Sequence, residues 1–296
     1  MKHSYVICGQ IKSRLEGLDT EYFQSLQQQD NDREIVVSTW KGEVSATSYR
    51  FIDQLVELDD PGPSDYGLNW HRILKATWHG LNAASNEAVV RSRVEVNIVD
   101  TDSLSEIIEG VMASGRFIGF PKKMSLYLFS KGMLFCPPDF FQIGKKQHLL
   151  NYWDLPVAPN DMAPFHMTNG NAASLSSDQV LGANYAYKNN GGKKNASDRY
   201  LFSFKNWAIQ RQHMASTFAY FDEDESGVDF GRLGRPARFK KYTATPLVGN
   251  NIQSLELNTL AMVEFLGRYY WDLQKRKFIN PYTMKNRLTS FLKNKF

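Results

Sequence analysis

Short apolar runs alternate with segments of helical period over residues 1–99, the pattern of strands joined by crossover helices in a parallel sheet. Ser4 to Gly9 reads as a strand ending in glycine, Glu34 to Trp40 as a second and Gln54 to Leu58 as a third, closed by Asp59-Asp60-Pro61-Gly62-Pro63. Leu15, Leu18, Tyr22, Phe23 and Leu26 recur at helical spacing after the first strand, and Asn69 to Ala84 reads as a helix before a fourth strand, Ala88 to Val96. These elements predict an α/β fold with a mostly parallel central sheet. Gly80 sits inside the predicted helix, where it is a poor helix former, so close packing on the sheet is expected there.

Beyond residue 100 the pattern changes. Leu104 to Ala113 reads as a short helix, and Ser125 to Phe129 with Met133 to Cys136 as two strands close enough to pair. Asp154 to Ser177, rich in Pro, Gly and Asn, is too long for a mere connector and reads as a lid or acceptor-side loop. Asp198 to Gln212 and Ser254 to Lys277 have helical period. The organisation expected is one large unit over 1–245, with a ligand-binding half at 1–100 and an acceptor-side half at 101–245, followed by C-terminal helices and a basic tail over 246–296.

Composition narrows the classes. With 296 residues and 42% hydrophobic content the chain can bury a sizeable core. No apolar run reaches the roughly 18 residues of a membrane span, and the opening residues lack the pattern of a signal peptide, so a cytoplasmic protein is expected. Its two cysteines, Cys8 and Cys136, lie in apolar stretches and are read as buried thiols. The net charge of +4 hides an asymmetry: residues 273–296 carry seven basic side chains and no acid, while the preceding residues hold 28 bases against 31 acids. A basic terminal segment on a mildly acidic body argues against a nucleic-acid binder. Met284, Leu288, Phe291 and Leu292 form one apolar stripe among Lys285, Arg287, Lys293 and Lys295. That pattern fits a helix lying on an anionic membrane, peripheral on its cytoplasmic face, and equally a helix docked on the body.

Candidate chemistry concentrates at the end of the fourth predicted strand. Arg91, Arg93 and Glu95 alternate there and share one face. In a parallel sheet that edge is the ligand crevice, where two guanidiniums can take a diphosphate and a carboxylate can hold a divalent ion or sugar hydroxyls. A structural ion pair of Arg93 with Glu95 explains the same spacing. Arg72, near the start of the predicted helix, can face the same crevice. Asp139, after Pro137-Pro138 and before Phe140-Phe141, is either a general base raised by apolar neighbours or a helix N-cap. Asp222-Glu223-Asp224-Glu225-Ser226-Gly227 carries calcium-loop donors, but its twelfth place is Leu233 rather than Glu, so a solvated acidic loop is the ordinary reading. No Gly-x-Gly-x-x-Gly, Walker or Gly-x-Ser-x-Gly motif occurs, and the six histidines make no metal pair.

Several segments together resemble the WavE-type lipopolysaccharide synthesis family of bacterial glycosyltransferases. They are Ile7-Cys8-Gly9-Gln10-Ile11, Val37 to Gly42 with Thr39 and Trp40, Asp60-Pro61-Gly62, Asn69 with Arg72 and Thr77 to Leu81, Val90 to Glu95, and Pro138 to Gly144 with Trp153-Asp154-Leu155-Pro156. The resemblance implies a GT-A-like, Rossmann-related fold for a nucleotide-diphospho-sugar donor, with Gly9, Thr39 and Arg72 around the nucleotide and Gln10 and Trp40 beside them. Where the family shows Arg-x-Asp, this chain has Arg93-Val94-Glu95, and where the family has Glu-Gln-Tyr it has Asp198-Arg199-Tyr200. On this reading Arg91 and Arg93 bind the diphosphate, and Glu95 supports a divalent cation (Mn2+ or Mg2+) or the donor sugar. Asp139 takes the acceptor proton and Asp198 completes an acidic wall. The expected activity is sugar transfer to a lipopolysaccharide core or surface polysaccharide, a glycan or glycolipid acceptor. The alternatives are a non-catalytic nucleotide-sugar or carbohydrate binder, and a nucleotidyltransferase on a related fold.

Overall fold

His3–Cys8 (β1) is buried along its whole length, as a strand covered on both faces must be. Parallel neighbours flank it in register, Arg33–Trp40 (β2) on one side and Ala88–Arg93 (β4) on the other, and Gln54–Leu58 (β3) pairs parallel with β2. The computed structural model describes residues 1–15, 18–29, 33–62, 70–121, 125, 138–154, 181–182, 185, 217–230 and 252–253. Trp70–Ala83 (α3) crosses from β3 to β4 over one face of the sheet. A Cβ on Gly80 would meet Val6 Cγ1 at 2.8 Å and Ser38 Cβ at 2.9 Å, so the absent side chain is what lets α3 lie against β1 and β2.

The sheet continues beyond β4 with a change of direction. Phe141–Lys145 (β7) runs antiparallel to β4, and Ile118–Pro121 (β6) antiparallel to β7. Phe218–Phe221 (β8) lies parallel to β6, and Ile252–Gln253 (β10) closes the edge antiparallel to β8. Among the described residues this is one eight-stranded sheet in the order β10-β8-β6-β7-β4-β1-β2-β3. A second, two-stranded sheet pairs Asn97–Ile98 (β5) with Val228–Asp229 (β9). On one face α3 packs beside Lys146–Trp153 (α5), giving a core that includes Leu74, Leu81, Leu149, Tyr152 and Trp153. The other face is covered by Asp19–Gln29 (α2) and Thr101–Ala113 (α4), whose Phe23, Leu26, Leu104, Ile107 and Val111 pack on Tyr5, Ile7, Ile35 and Val90.

Several sequence expectations need correction. The fourth strand ends at Arg93 rather than Val96. The Val96 amide donates to the Arg93 carbonyl at 3.0 Å, closing a turn, and Val94 and Val96 are buried on the α2 and α4 face. The first helical segment is broken into Ile11–Leu15 (α1) and α2, which leaves Leu18 between them 61% exposed instead of in the core. The helix at α4 starts earlier than its apolar period implied, because the Asp100 carboxylate accepts from the Asp102 and Ser103 amides as an N-cap. Of the two strands expected at 125–136, only Ser125 is described; it is helical and buried, its hydroxyl bonded to the Pro121 carbonyl at 2.6 Å. The acidic run 222–225 is a capped 3-10 turn, the Asp222 side chain accepting from the Asp224 amide at 3.0 Å. The long loop at 155–177, the helices expected at 198–212 and 254–277, and the basic tail lie outside the described residues.

Candidate active site

Because β1 to β4 run parallel, their carboxyl ends share one rim, the place where α/β sheets bind ligands. Gly9 leaves β1 with φ +132°, a conformation L side chains rarely adopt, and its carbonyl accepts from Thr39 Oγ1 at 2.6 Å. Its amide donates to the Ser38 carbonyl at 3.3 Å, so the exits of β1 and β2 are stitched together. The Val94 amide donates to the Cys8 carbonyl at 3.2 Å and the Arg93 amide to the Phe140 carbonyl at 2.9 Å, fixing the exit of β4 between β1 and the segment before β7.

These backbone bonds bring three of the predicted residues together. Arg93 donates through Nη2 to Glu95 Oε1 at 2.6 Å and through Nε to Oε2 at 3.2 Å, a bidentate pair. Its Nη1 lies 3.8 Å from Asp139 Oδ1. The side chains of Arg93 and Glu95 retain 28% and 22% exposure, so the pair sits at the rim and open to a ligand, while Asp139 is buried. Asp139 occupies a bend directly before β7, with Phe140 and Phe141 buried beside it; no helix starts there, which removes the N-cap reading.

Arg91 is elsewhere than expected. It is 1% exposed, sealed under the face that carries α3 and α5, and its guanidinium lies 4.4 Å from the ring centroid of Trp153. Nη2 donates to Thr77 Oγ1 at 3.0 Å, while Nε and Nη1 have no partner. Across the ladder, the buried Gln142 accepts from Trp153 Nε1 at 2.7 Å and leaves its own amide nitrogen unpaired. Direct contact between Arg91 and a diphosphate is therefore corrected: Trp153 closes over it. The Cys8 thiol is buried in the same place; desolvation pushes its pKa up, opposed by the Arg91 charge, so it is held as a thiol.

The residues expected around a nucleotide lie along the same edge. Trp40 is buried at the exit of β2, with its indole nitrogen unpaired, and Gln10 is half-buried after Gly9. Arg72 donates from Nε to Asp60 Oδ1 at 2.7 Å and from Nη2 to Oδ2 at 2.5 Å, an ion pair joining the start of α3 to the chain leaving β3. That bond holds the Asp60 carboxyl below the usual carboxylate range. Asp198 lies outside the described residues. Both oxygens of Glu95, the residue expected to support a divalent cation, are taken by Arg93 here, and among the described residues no group of three His, Cys, Asp or Glu is placed to hold an ion.

Sequence reasoning gave Thr77, Gln142 and Trp153 no role. Their positions in matching segments were the available signal; the fact that α5 folds Trp153 back over β4 was not.

The fold and rim define an α/β protein with a charged crevice at the carboxyl ends of its parallel strands. The chain belongs to the WavE lipopolysaccharide synthesis family, whose model matches residues 4–294. No curated protein matches it. Among solved structures, it is distantly similar to mouse xyloside xylosyltransferase 1 in its apo form, with 9% identity over 74% of this chain and 84% of that one and a TM-score of 0.38. It is also distantly similar to mannosyltransferase PcManGT from Pyrobaculum calidifontis, solved with GDP-Man and Mn2+, with 13% identity over 73% of this chain and 62% of that one and a TM-score of 0.36.

Proposed function

We propose that the chain is a glycosyltransferase of GT-A-like architecture, moving a sugar from a nucleotide-diphosphate donor to a glycan acceptor of lipopolysaccharide or surface polysaccharide. Family membership supports the class. The observation that carries the mechanism is Arg93, held at the parallel-strand rim between Glu95 and Asp139. A guanidinium presenting its fork to a carboxylate is pre-shaped for the oxygens of a diphosphate. Donor binding replaces Glu95 in that fork, and the released carboxylate accepts from hydroxyls of the donor sugar.

In the transfer step the bond between the anomeric carbon and the diphosphate oxygen breaks, its electron pair leaving with the diphosphate, where Arg93 stabilises the growing charge. The acceptor oxygen forms the new bond, and its proton passes to Asp139 in an inverting reaction; in a retaining one Asp139 binds the acceptor. Gly9, Gln10, Thr39, Trp40 and Arg72 line the nucleotide end of the rim, and Asp198 adds an acidic wall. The basic tail holds the protein on an anionic membrane. No step is assigned to a cation.

Arg93→Ala tests this reading. Donor affinity, read by thermal shift against a panel of nucleotide sugars with and without Mn2+, should fall at least tenfold while the melting curve of the free protein stays nearly unchanged. Lost stability with unchanged donor affinity would return Arg93 to a purely structural role. Asp139→Asn should lower transfer far more than donor affinity, and an unaltered rate removes it as the base.

A further inference from the structure

On the α2 side of the same rim, a cleft of about 680 Å³ opens between the first two helices and the turn that follows β4. This is within the range of small-ligand sites. One wall is apolar, made by Leu15, Leu18, Tyr22, Val94, Ile98 and Val99, and two of these remain largely open, Leu18 at 61% and Val99 at 51% exposure. The polar positions are Glu21, Ser25, Gln29, Glu95 and Asn97, with no Lys, Arg or His among the described lining residues. Tyr22 brings a hydroxyl that is buried without a partner, and burial raises its pKa, so it stays a neutral phenol.

This chemistry selects a ligand class. The Glu95 carboxylate is held by Arg93, so the lining between the helices offers a phosphate or nucleotide one acid, Glu21, and no cation among its described residues; its polar groups there are Glu21, Ser25, Gln29 and Asn97. They accept hydrogen bonds readily from uncharged hydroxyls, while the aliphatic wall suits the C–H faces of a pyranose ring. The cleft also includes Glu95, whose carboxylate is the partner of Arg93 at the rim. From these observations we infer that the cleft binds a neutral saccharide, and that on the transferase reading above it is the acceptor site, with Glu95 as the residue common to acceptor and donor sides. The acceptor segment it takes is an unphosphorylated, uncharged sugar.

The test uses the full-length chain and a panel of immobilised neutral and phosphorylated oligosaccharides, without donor. Saturable binding to neutral members and exclusion of the phosphorylated ones is expected. Ser25→Trp, which fills the cleft from an exposed helix position, should weaken that binding at least tenfold. Leu18→Asp, at an exposed position, should weaken it several-fold and guards against misfolding of the bulkier variant. Donor affinity should be unaltered in both. Absence of neutral-glycan binding, equal binding by both variants, or preference for phosphorylated glycans overturns the inference. If glycans bind but no nucleotide sugar does, the cleft stands and the transferase reading falls; donor binding without glycan binding gives the reverse.

Discussion

The two ends of the parallel sheet treat their charged groups in opposite ways. At the amino-terminal edge, Glu34 accepts from Ser4 Oγ at 2.5 Å, Gln54 Nε2 at 2.6 Å, and the amide and hydroxyl of Ser85, both at 2.7 Å. Four donors meet one carboxylate. At the carboxyl end, Arg91 is more deeply buried, yet it has one side-chain hydrogen bond and two idle nitrogens, and Arg93 pairs with Glu95 and lies 3.8 Å from Asp139 at an accessible rim. A fold able to satisfy Glu34 so fully could have filled the Arg91 position with an apolar side chain. The proposed site would explain why an under-satisfied cation is kept there, whereas a purely structural role would not.

The largest effect is expected at the saturated end. Glu34→Ala should lower stability by about 3 kcal/mol, since it strips the shared acceptor from Ser4, Gln54 and Ser85. The pH dependence has a definite sign. Burial pushes the Glu34 carboxyl up, but the hydrogen bonds outweigh burial and hold its pKa below the usual glutamate value. A depressed folded-state pKa contributes stability that is present above the unfolded value and is lost as pH falls through the folded one. Urea titrations at descending pH should show the gap between wild type and Glu34→Ala closing in that acid range. A gap of the same size at all pH values would mean that the charge is not what joins this edge.

Between the ends, Gly80→Ala asks how tightly α3 is pressed on the strands that carry the rim. The added carbon meets Val6 and Ser38 below 3.0 Å, and both belong to central strands that cannot move aside cheaply. A loss of about 2 kcal/mol is expected, in line with overpacking in a close-packed core. Calorimetry checks it, and an unchanged melting temperature would show that the helix has room to lift.

How far the sequence revealed all this follows from the range of the contacts. β3 was legible to the residue because its run is bounded by turn residues, and the strands of the parallel half were legible as elements because helical segments separate them, but nothing local shows that α3 carries the chain past β2 to set β4 beside β1. β6 and β7 were not recognised as strands, and β6 finds its parallel partner β8 about 100 residues later, a pairing no local period announces. At the site, the grouping of Arg93 with Glu95 follows from strand alternation and survives the early end of β4. The approach of Asp139 does not; it needs β7 to pair antiparallel with β4. Arg91 was misjudged for the same reason, because alternation places it on the face of Arg93 but says nothing of Trp153 arriving on α5 to cover it.

Arg91→Met separates the two ends most finely, and its expected effect on stability is the smallest and of opposite sign. Methionine has a similar length and no charge to desolvate, and its thioether packs well against an aromatic ring such as Trp153. Arg91 makes no direct ion pair, Asp139 attracting it only at longer range, so removing this buried cation should raise stability by about 1 kcal/mol. Thr77 loses one hydrogen-bond donor, which limits the gain. If the charge is retained for function, the same variant should transfer sugar at least tenfold more slowly with Arg93 still in place, because the fixed positive field beneath the rim is gone. Thermal melts and transfer rates on one preparation decide it. A rise in melting temperature with a fall in rate makes Arg91 part of the charged rim from below. A fall in both makes it a structural counterpart of Glu34, and the contrast between the two ends of the sheet disappears.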